Sequence, residues 1–193
     1  EGTIGGGTGM STFGFKGGIG TSSRIVDLDG ETGTVGVLVQ SNFGGRFHLK
    51  GVSMADIPTE PQPPSKMGSS IMIIVATDLP LSNRQLNRIC KRATFGLART
   101  GSDGGHGSGD YIIAFSTTYR SGKKSNILNT LTQRESLINR VFTAVADATE
   151  ESIYNAMFKA TTLIGRDGNS RYELPIDQAL GILQQHNVLN LPK

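Results

Sequence analysis

Tryptophan is absent from the 193 residues, cysteine occurs once, and aromatic residues make up only 6% of the chain. A single cysteine excludes an internal disulfide and any cysteine metal cluster, and Cys90 falls on a helical core stripe with Leu86, Ile89 and Ala93. This leaves the compartment open between cytoplasm and periplasm. No run of 18 apolar residues exists to span a bilayer, so no membrane partner is expected. Net charge is only +3, and Arg84, Arg88, Lys91, Arg92 and Arg99 spread around one helix without interleaved aromatics. They read as a solvated helix face, and no nucleic-acid partner is expected.

Nucleotide-loop templates are missing too. In Gly5-Gly6-Gly7-Thr8-Gly9-Met10 the G-x-G-x-x-G pattern fails at Met10, or at Thr12 if begun at Gly7. A Walker loop begun at Gly9 meets Phe15 where lysine is required. The opening is therefore a structural or substrate-lining loop with Gly7, Thr8 and Gly9 at its centre, and no cofactor or metal is indicated. Glu1 is not an initiator methionine, and no basic-then-apolar targeting segment precedes this loop, so the chain reads as a fragment or a processed form.

What the chain has in abundance is glycine, 26 residues, which favours tight turns and close backbone approaches. Its organising stretch is Met67-Gly68-Ser69-Ser70-Ile71-Met72-Ile73-Ile74-Val75-Ala76-Thr77-Asp78. Residues 71–76 are uninterrupted, mostly β-branched and bounded by Gly68 and Pro80, as in a fully buried strand. A serine opening such a strand is held where the chain leaves solvent for the core. Ser70 is thus a candidate nucleophile, although on local pattern alone Gly68 and Ser69 read as a simple turn into a core strand. Upstream, Pro58, Pro61, Pro63 and Pro64 punctuate a polar linker that cannot pack as a regular element. A flexible linker entering a buried strand through Gly-Ser-Ser is a plausible self-processing junction.

In chain order, residues 23–28 and 34–40 are expected as two antiparallel strands joined around Asp29-Gly30. Asn42 follows on a glycine-flanked bend, where its amide either caps the turn or donates to an oxyanion. Ser82 starts a helix that runs to Arg99 and stops at Gly101. A second glycine-rich loop leads through Ser108 and Asp110 into a strand over 111–116. Two residues apart in extended geometry, Ser108 and Asp110 project to the same side and converge on one target. His106 lies in that loop without a supporting neighbour, as do His48 and His186 elsewhere, so a Ser-His-Asp triad is unconvincing. Helices are expected over 133–146, 149–164 and 176–185, with Arg166-Asp167-Gly168 as a turn.

Five separated motifs agree with one another: Glu1 through Met10, Lys16-Gly17-Gly18-Ile19-Gly20-Thr21, Val35 through Gly44, Ser70 through Asp78, and Gly107-Ser108-Gly109-Asp110. Ala148-Thr149-Glu150-Glu151 and Gly165-Arg166-Asp167-Gly168 fit the same pattern. Together they resemble the L-aminopeptidase/D-esterase and β-aminopeptidase family of self-processing N-terminal-nucleophile hydrolases. The resemblance implies an α+β fold, an αββα four-layer sandwich, made as a precursor that cuts its own backbone before one serine. Residues 1–69 would then be the C-terminal part of an α chain and 70–193 a β chain, both within one domain. It implies Ser70 as nucleophile, Asn42 as oxyanion-hole donor, and Ser108 with Asp110 as the pair that binds and tunes the new α-amino group.

Two departures stand out. The family pattern has glycine directly before the cleaved serine, whereas here Ser69 intervenes, so cleavage before Ser69 competes with cleavage before Ser70. Family members also carry a long segment ahead of the glycine-rich opening, and the chain without it should be inactive. The implied activity is release of an N-terminal L-, D- or β-residue from short peptides, amides or esters, by a homo-oligomer of αβ units. The alternatives are a non-catalytic or uncleaved relative that binds small amines or peptides and, further off, a glycine-loop nucleotide binder.

Overall fold

A computed structural model describes residues 1–59, 69–118, 131 and 134–189. Most of the proline-rich linker, and Gln133 at the start of one expected helix, lie outside the described residues. A four-stranded sheet in the order β3-β4-β7-β8 carries the fold: β3 (Gly18–Leu28), β4 (Glu31–Asn42), β7 (Ser70–Thr77) and β8 (Gly109–Ser116). β4 is antiparallel to both β3 and β7, whereas β8 is parallel to β7; β1 (Ser11–Thr12) with β2 (Phe15–Lys16), and β5 (His48–Leu49) with β6 (Val52–Ser53), form separate two-stranded pairs. Asp29 and Gly30 turn the β3–β4 hairpin, both at positive φ (58° and 92°), the conformation a two-residue hairpin loop requires. The strands extend beyond 23–28 and 34–40 because pairing continues through glycine and serine positions that carry little strand propensity of their own.

Strand alternation sets the two faces. Val35, Val37 and Val39 of β4 and Ile71, Ile73 and Val75 of β7 point inward and are buried. They pack beneath α1 (Asn83–Arg99) and α2 (Ile138–Phe158), which supply Ile89, Ala93 and Leu97 and Val141, Val145, Ala148 and Ile153. Each fully buried aliphatic side chain contributes about 1.5–3 kcal/mol, so this layer contact is the main stabilising feature. Gly20 makes it possible: a Cβ there would stand 1.8 Å from the Ser152 carbonyl oxygen of α2.

Local signals fix the ends of α1. Ser82 and Gln85 form a reciprocal capping box, and Gly101 (φ 102°) follows the last turn. The basic face of α1 has partners: Arg84 and Arg88 share Glu135, Arg99 pairs with Asp147, and Arg92 lies 4.4 Å from the Phe142 ring.

The expectation of separate helices over 133–146 and 149–164 is corrected. One helix, α2, runs through 147–149, because the Thr149 and Ser152 hydroxyls bond back to the Val145 and Ala148 carbonyls, each at 2.7 Å, instead of capping a new start. Leu163 and Ile164 belong to a short strand, β9 (Leu163–Ile164), paired with β10 (Ser170–Arg171) around the Arg166–Gly168 turn. The last helix, α3 (Ile176–Gln185), lies where expected.

The opposite face of the sheet is apolar and uncovered by any described residue. Tyr111, Ile113 and Phe115 of β8 are 65%, 55% and 45% exposed, and Leu38 and Met72 lie beside them. A groove of about 450 Å³ runs over the same face between Thr21, Leu38 and Ile74.

Candidate active site

Ser70 is the first residue of β7, so one side of it is fixed by the sheet. In the ladder it stands opposite Asn42, the last residue of β4, and beside Gly109, the first residue of β8. Paired residues share a face, which puts the Ser70 and Asn42 side chains together on the outer face at one end of the sheet. Ser70 Oγ accepts the Gly109 N–H at 3.2 Å, and the same N–H lies 3.2 Å from the Ser69 carbonyl oxygen. One donor therefore touches both the hydroxyl and the carbonyl that precedes it. A methyl group at Gly109 would come within 3.3 Å of Ser70 Oγ and 3.1 Å of the Tyr111 ring.

The Asn42 amide has a fixed orientation. Its Oδ1 accepts the Ser11 N–H at 3.0 Å, and because a main-chain N–H can only donate, the NH2 end of the amide is left as the free donor. Ser11 belongs to β1 (Ser11–Thr12), which pairs with β2 (Phe15–Lys16). That hairpin is fastened to the end of β4 by Thr12 Oγ1, 2.7 Å from Ser41 Oγ.

Ser108 and Asp110 converge as their spacing suggests: Ser108 Oγ donates to Asp110 Oδ1 at 2.7 Å. The register nevertheless separates them from the hydroxyl. Asp110 pairs with Ile71, so its side chain lies on the face opposite Ser70 Oγ.

The glycine-rich opening forms a 3-10 turn over Gly5–Gly7, closed by Thr8 Oγ1 on the Gly5 carbonyl at 2.8 Å. Gln40 Nε2 donates to the Gly6 carbonyl at 3.0 Å, which ties the loop to the face that carries Asn42. Gly7 is buried, and Thr8 and Gly9 are exposed. His106 is exposed in its loop, His48 Nδ1 lies 2.6 Å from the Arg46 carbonyl, and His186 caps α3. None of the three joins Ser70. A cavity of about 820 Å³ among Phe13, Phe47, His48, Met54 and Asp103 includes none of the residues at this sheet end.

Sequence reasoning missed Lys16. Its side chain is fully buried, and Nζ donates to the carbonyls of Gly7, Met10 and Gly17 at 2.8, 3.0 and 2.6 Å. Burial pushes its pKa down to about 8. The one available signal was a lone lysine in an apolar and glycine context, Phe15-Lys16-Gly17.

The model of peptidase family S58 matches residues 1–171. The chain is 38% identical to the β-peptidyl aminopeptidase BapA of Sphingosinicella microcystinivorans over 212 residues, covering 100% of this chain and 54% of that protein. Among solved structures, the PH0078 protein of Pyrococcus horikoshii OT3 superposes with a TM-score of 0.81 at 43% identity, covering 96% of this chain and 52% of that one. The L-aminopeptidase D-Ala-esterase/amidase of Ochrobactrum anthropi, described as a new variant of the Ntn hydrolase fold, gives a TM-score of 0.80 at 37% identity, with 98% and 54% covered. The chain spans about half the length of the relatives it matches. On a match that runs from its first residue through Arg171, the chain belongs to peptidase family S58.

Proposed function

We propose that the whole protein is a self-processing aminopeptidase and amidase whose nucleophile is Ser70. The observation that carries this reading is the Gly109 N–H, 3.2 Å from both Ser70 Oγ and the Ser69 carbonyl oxygen, with Asn42 opposite in the ladder. In the maturation step Ser70 Oγ attacks the Ser69 carbonyl carbon. The Ser69–Ser70 amide becomes an ester, water hydrolyses that ester, and Ser70 is left with a free α-amino group. Residues 1–69 then form part of an α chain and 70–193 belong to a β chain within one domain. Cleavage before Ser70 is favoured over cleavage before Ser69, because a shift of one residue turns the nucleophile away from the face that carries Asn42.

In turnover the new amine is the general base. An α-amino group has a pKa of about 7.7–8.0, so it accepts the Ser70 proton near neutral pH without a histidine. Ser70 Oγ attacks the substrate carbonyl, the Asn42 NH2 group stabilises the oxyanion, and the amine returns its proton to the leaving group. Water then opens the acyl-enzyme. The Ser108–Asp110 pair, on the other face of the strand, binds and tunes the amine. Gly7, Thr8 and Gly9 line the substrate side.

The substrates are short peptides, amides or esters with an N-terminal L-, D- or β-residue, and no cofactor enters the scheme. The apolar outer face, together with the half-length of the chain, supports a second sheet packed there to complete an αββα sandwich. A homo-oligomer of αβ units is the expected assembly. Replacement of Ser70 by alanine in the full-length protein tests the assignment: neither a cut chain nor hydrolysis of an aminoacyl p-nitroanilide is expected, and an active Ser70→Ala protein would overturn it.

A further inference from the structure

Lys16 is a fully buried ammonium whose three partners are main-chain carbonyls. Burial of a charge costs several kcal/mol, and an apolar side chain of similar volume is often as good for stability or better. What this ammonium does is better read from what it holds. Two of its partners, Gly7 and Met10, border the loop segment Thr8-Gly9, and the third, Gly17, returns to the same point from β2. The Gly17 N–H also donates to the Met10 carbonyl, at 3.0 Å.

The Met10 carbonyl and the Ser11 N–H are two ends of one planar peptide group. Lys16 Nζ grips one end at 3.0 Å, and the other end donates to Asn42 Oδ1 at 3.0 Å. A rotation of that peptide would withdraw the N–H and free the Asn42 amide to turn, placing its oxygen where the NH2 group now points.

We propose that Lys16 is a positioning residue for the acyl-transfer site: its ammonium fixes the Met10–Ser11 peptide, and that peptide fixes the Asn42 amide with the NH2 end available to the oxyanion. The proposal rests on the reading of Asn42 as the oxyanion donor. Lys16 touches neither nucleophile nor substrate, so its effect on the chemical step passes through Asn42. A second consequence follows for the loop, because the carbonyls at Gly7 and Met10 are held on one point and bracket Thr8 and Gly9.

The test is a double-mutant cycle on the full-length protein with an aminoacyl p-nitroanilide that the wild type turns over. Lys16→Met is expected to lower kcat by about 10- to 100-fold with KM within about threefold, as for loss of an interaction made in the transition state. In an Asn42→Ala background the same substitution is expected to change kcat by less than about twofold. Unchanged kcat in Lys16→Met, an effect confined to KM, or losses that multiply with those of Asn42→Ala would overturn the positioning role while the Asn42 assignment stands. Wild-type kcat in Asn42→Ala alone would overturn that assignment, and the proposal with it. If Lys16→Met does not fold, Lys16→Gln, which keeps two N–H donors without the charge, is judged by the same cycle.

Discussion

Asn42 and Ser70 face one another across β4 and β7, each at the terminal residue of its strand, with their side chains on the outer face of the sheet. An acyl-transfer site needs a nucleophile and a donor for the oxyanion that its attack creates, and a strand ladder places these two with little freedom.

Loss of that donor should be felt in the transition state and hardly in substrate binding. Asn42→Ala is expected to lower kcat by about 10²- to 10³-fold, or about 2.7–4 kcal/mol, with KM nearly unchanged. Self-cleavage should slow as well. Steady-state kinetics on cleaved protein and a time course of chain cutting measure the two separately.

Asp110, hydrogen-bonded to Ser108, lies on the face of the sheet opposite Ser70 Oγ, and in the proposed mechanism its carboxylate tunes the new amine. A negative group there favours the protonated amine, so its removal should lower the amine pKa. For Asp110→Asn the acid limb of the kcat/KM profile is expected to move to lower pH. A profile recorded across pH 5–9 against that of the wild type checks the direction.

The contact of β3 with α2 leaves no room for a side chain at Gly20. A methyl group at Gly20 would stand 1.8 Å from the Ser152 carbonyl oxygen and 2.5 Å from the Ala156 nitrogen. Gly20→Ala is expected to cost about 3 kcal/mol, by overpacking that neither backbone can relieve. Ser23→Ala, on the exposed face of the same strand, should be close to neutral, and denaturant midpoints compare the two.

Lys16 ties stability to alkaline pH. Its folded pKa, about 8, lies below the unfolded value of 10.5, so between these limits the unfolded chain holds a proton that the folded chain has released. Stability then rises with pH across this window and is flat below it. At 1.36 kcal/mol per pH unit the gain is bounded at about 3 kcal/mol. The stability of wild type relative to Lys16→Met, followed by denaturant unfolding from pH 7 to 10.5, should increase in that direction.

Much of the frame was legible because its signals are local. Asp29-Gly30 specifies a hairpin, residues 71–76 specify a strand, although only Ile71, Ile73 and Val75 of it are buried and Met72 is exposed, and Ser82 and Gly101 bound α1. The points that escaped are those where distant segments decide. A break before Thr149 is expected from the sequence, and it is absent because the Val145 and Ala148 carbonyls satisfy the Thr149 and Ser152 hydroxyls within one helix. Lys16 stands in a glycine-rich motif with no local mark of its burial, which three carbonyls from the folded chain decide. Ser108 and Asp110 could be paired from their spacing, but only the register of β8 against β7 separates their face from that of Ser70 Oγ.

The most direct measurement is intact-mass spectrometry of the full-length protein under denaturing conditions, with N-terminal sequencing of any fragment. Two chains are expected, one of which begins Ser-Ile-Met-Ile-Ile-Val, at Ser70. A fragment that begins Ser-Ser-Ile would move the nucleophile to Ser69 and away from Asn42, and a single uncut chain would contradict self-processing altogether.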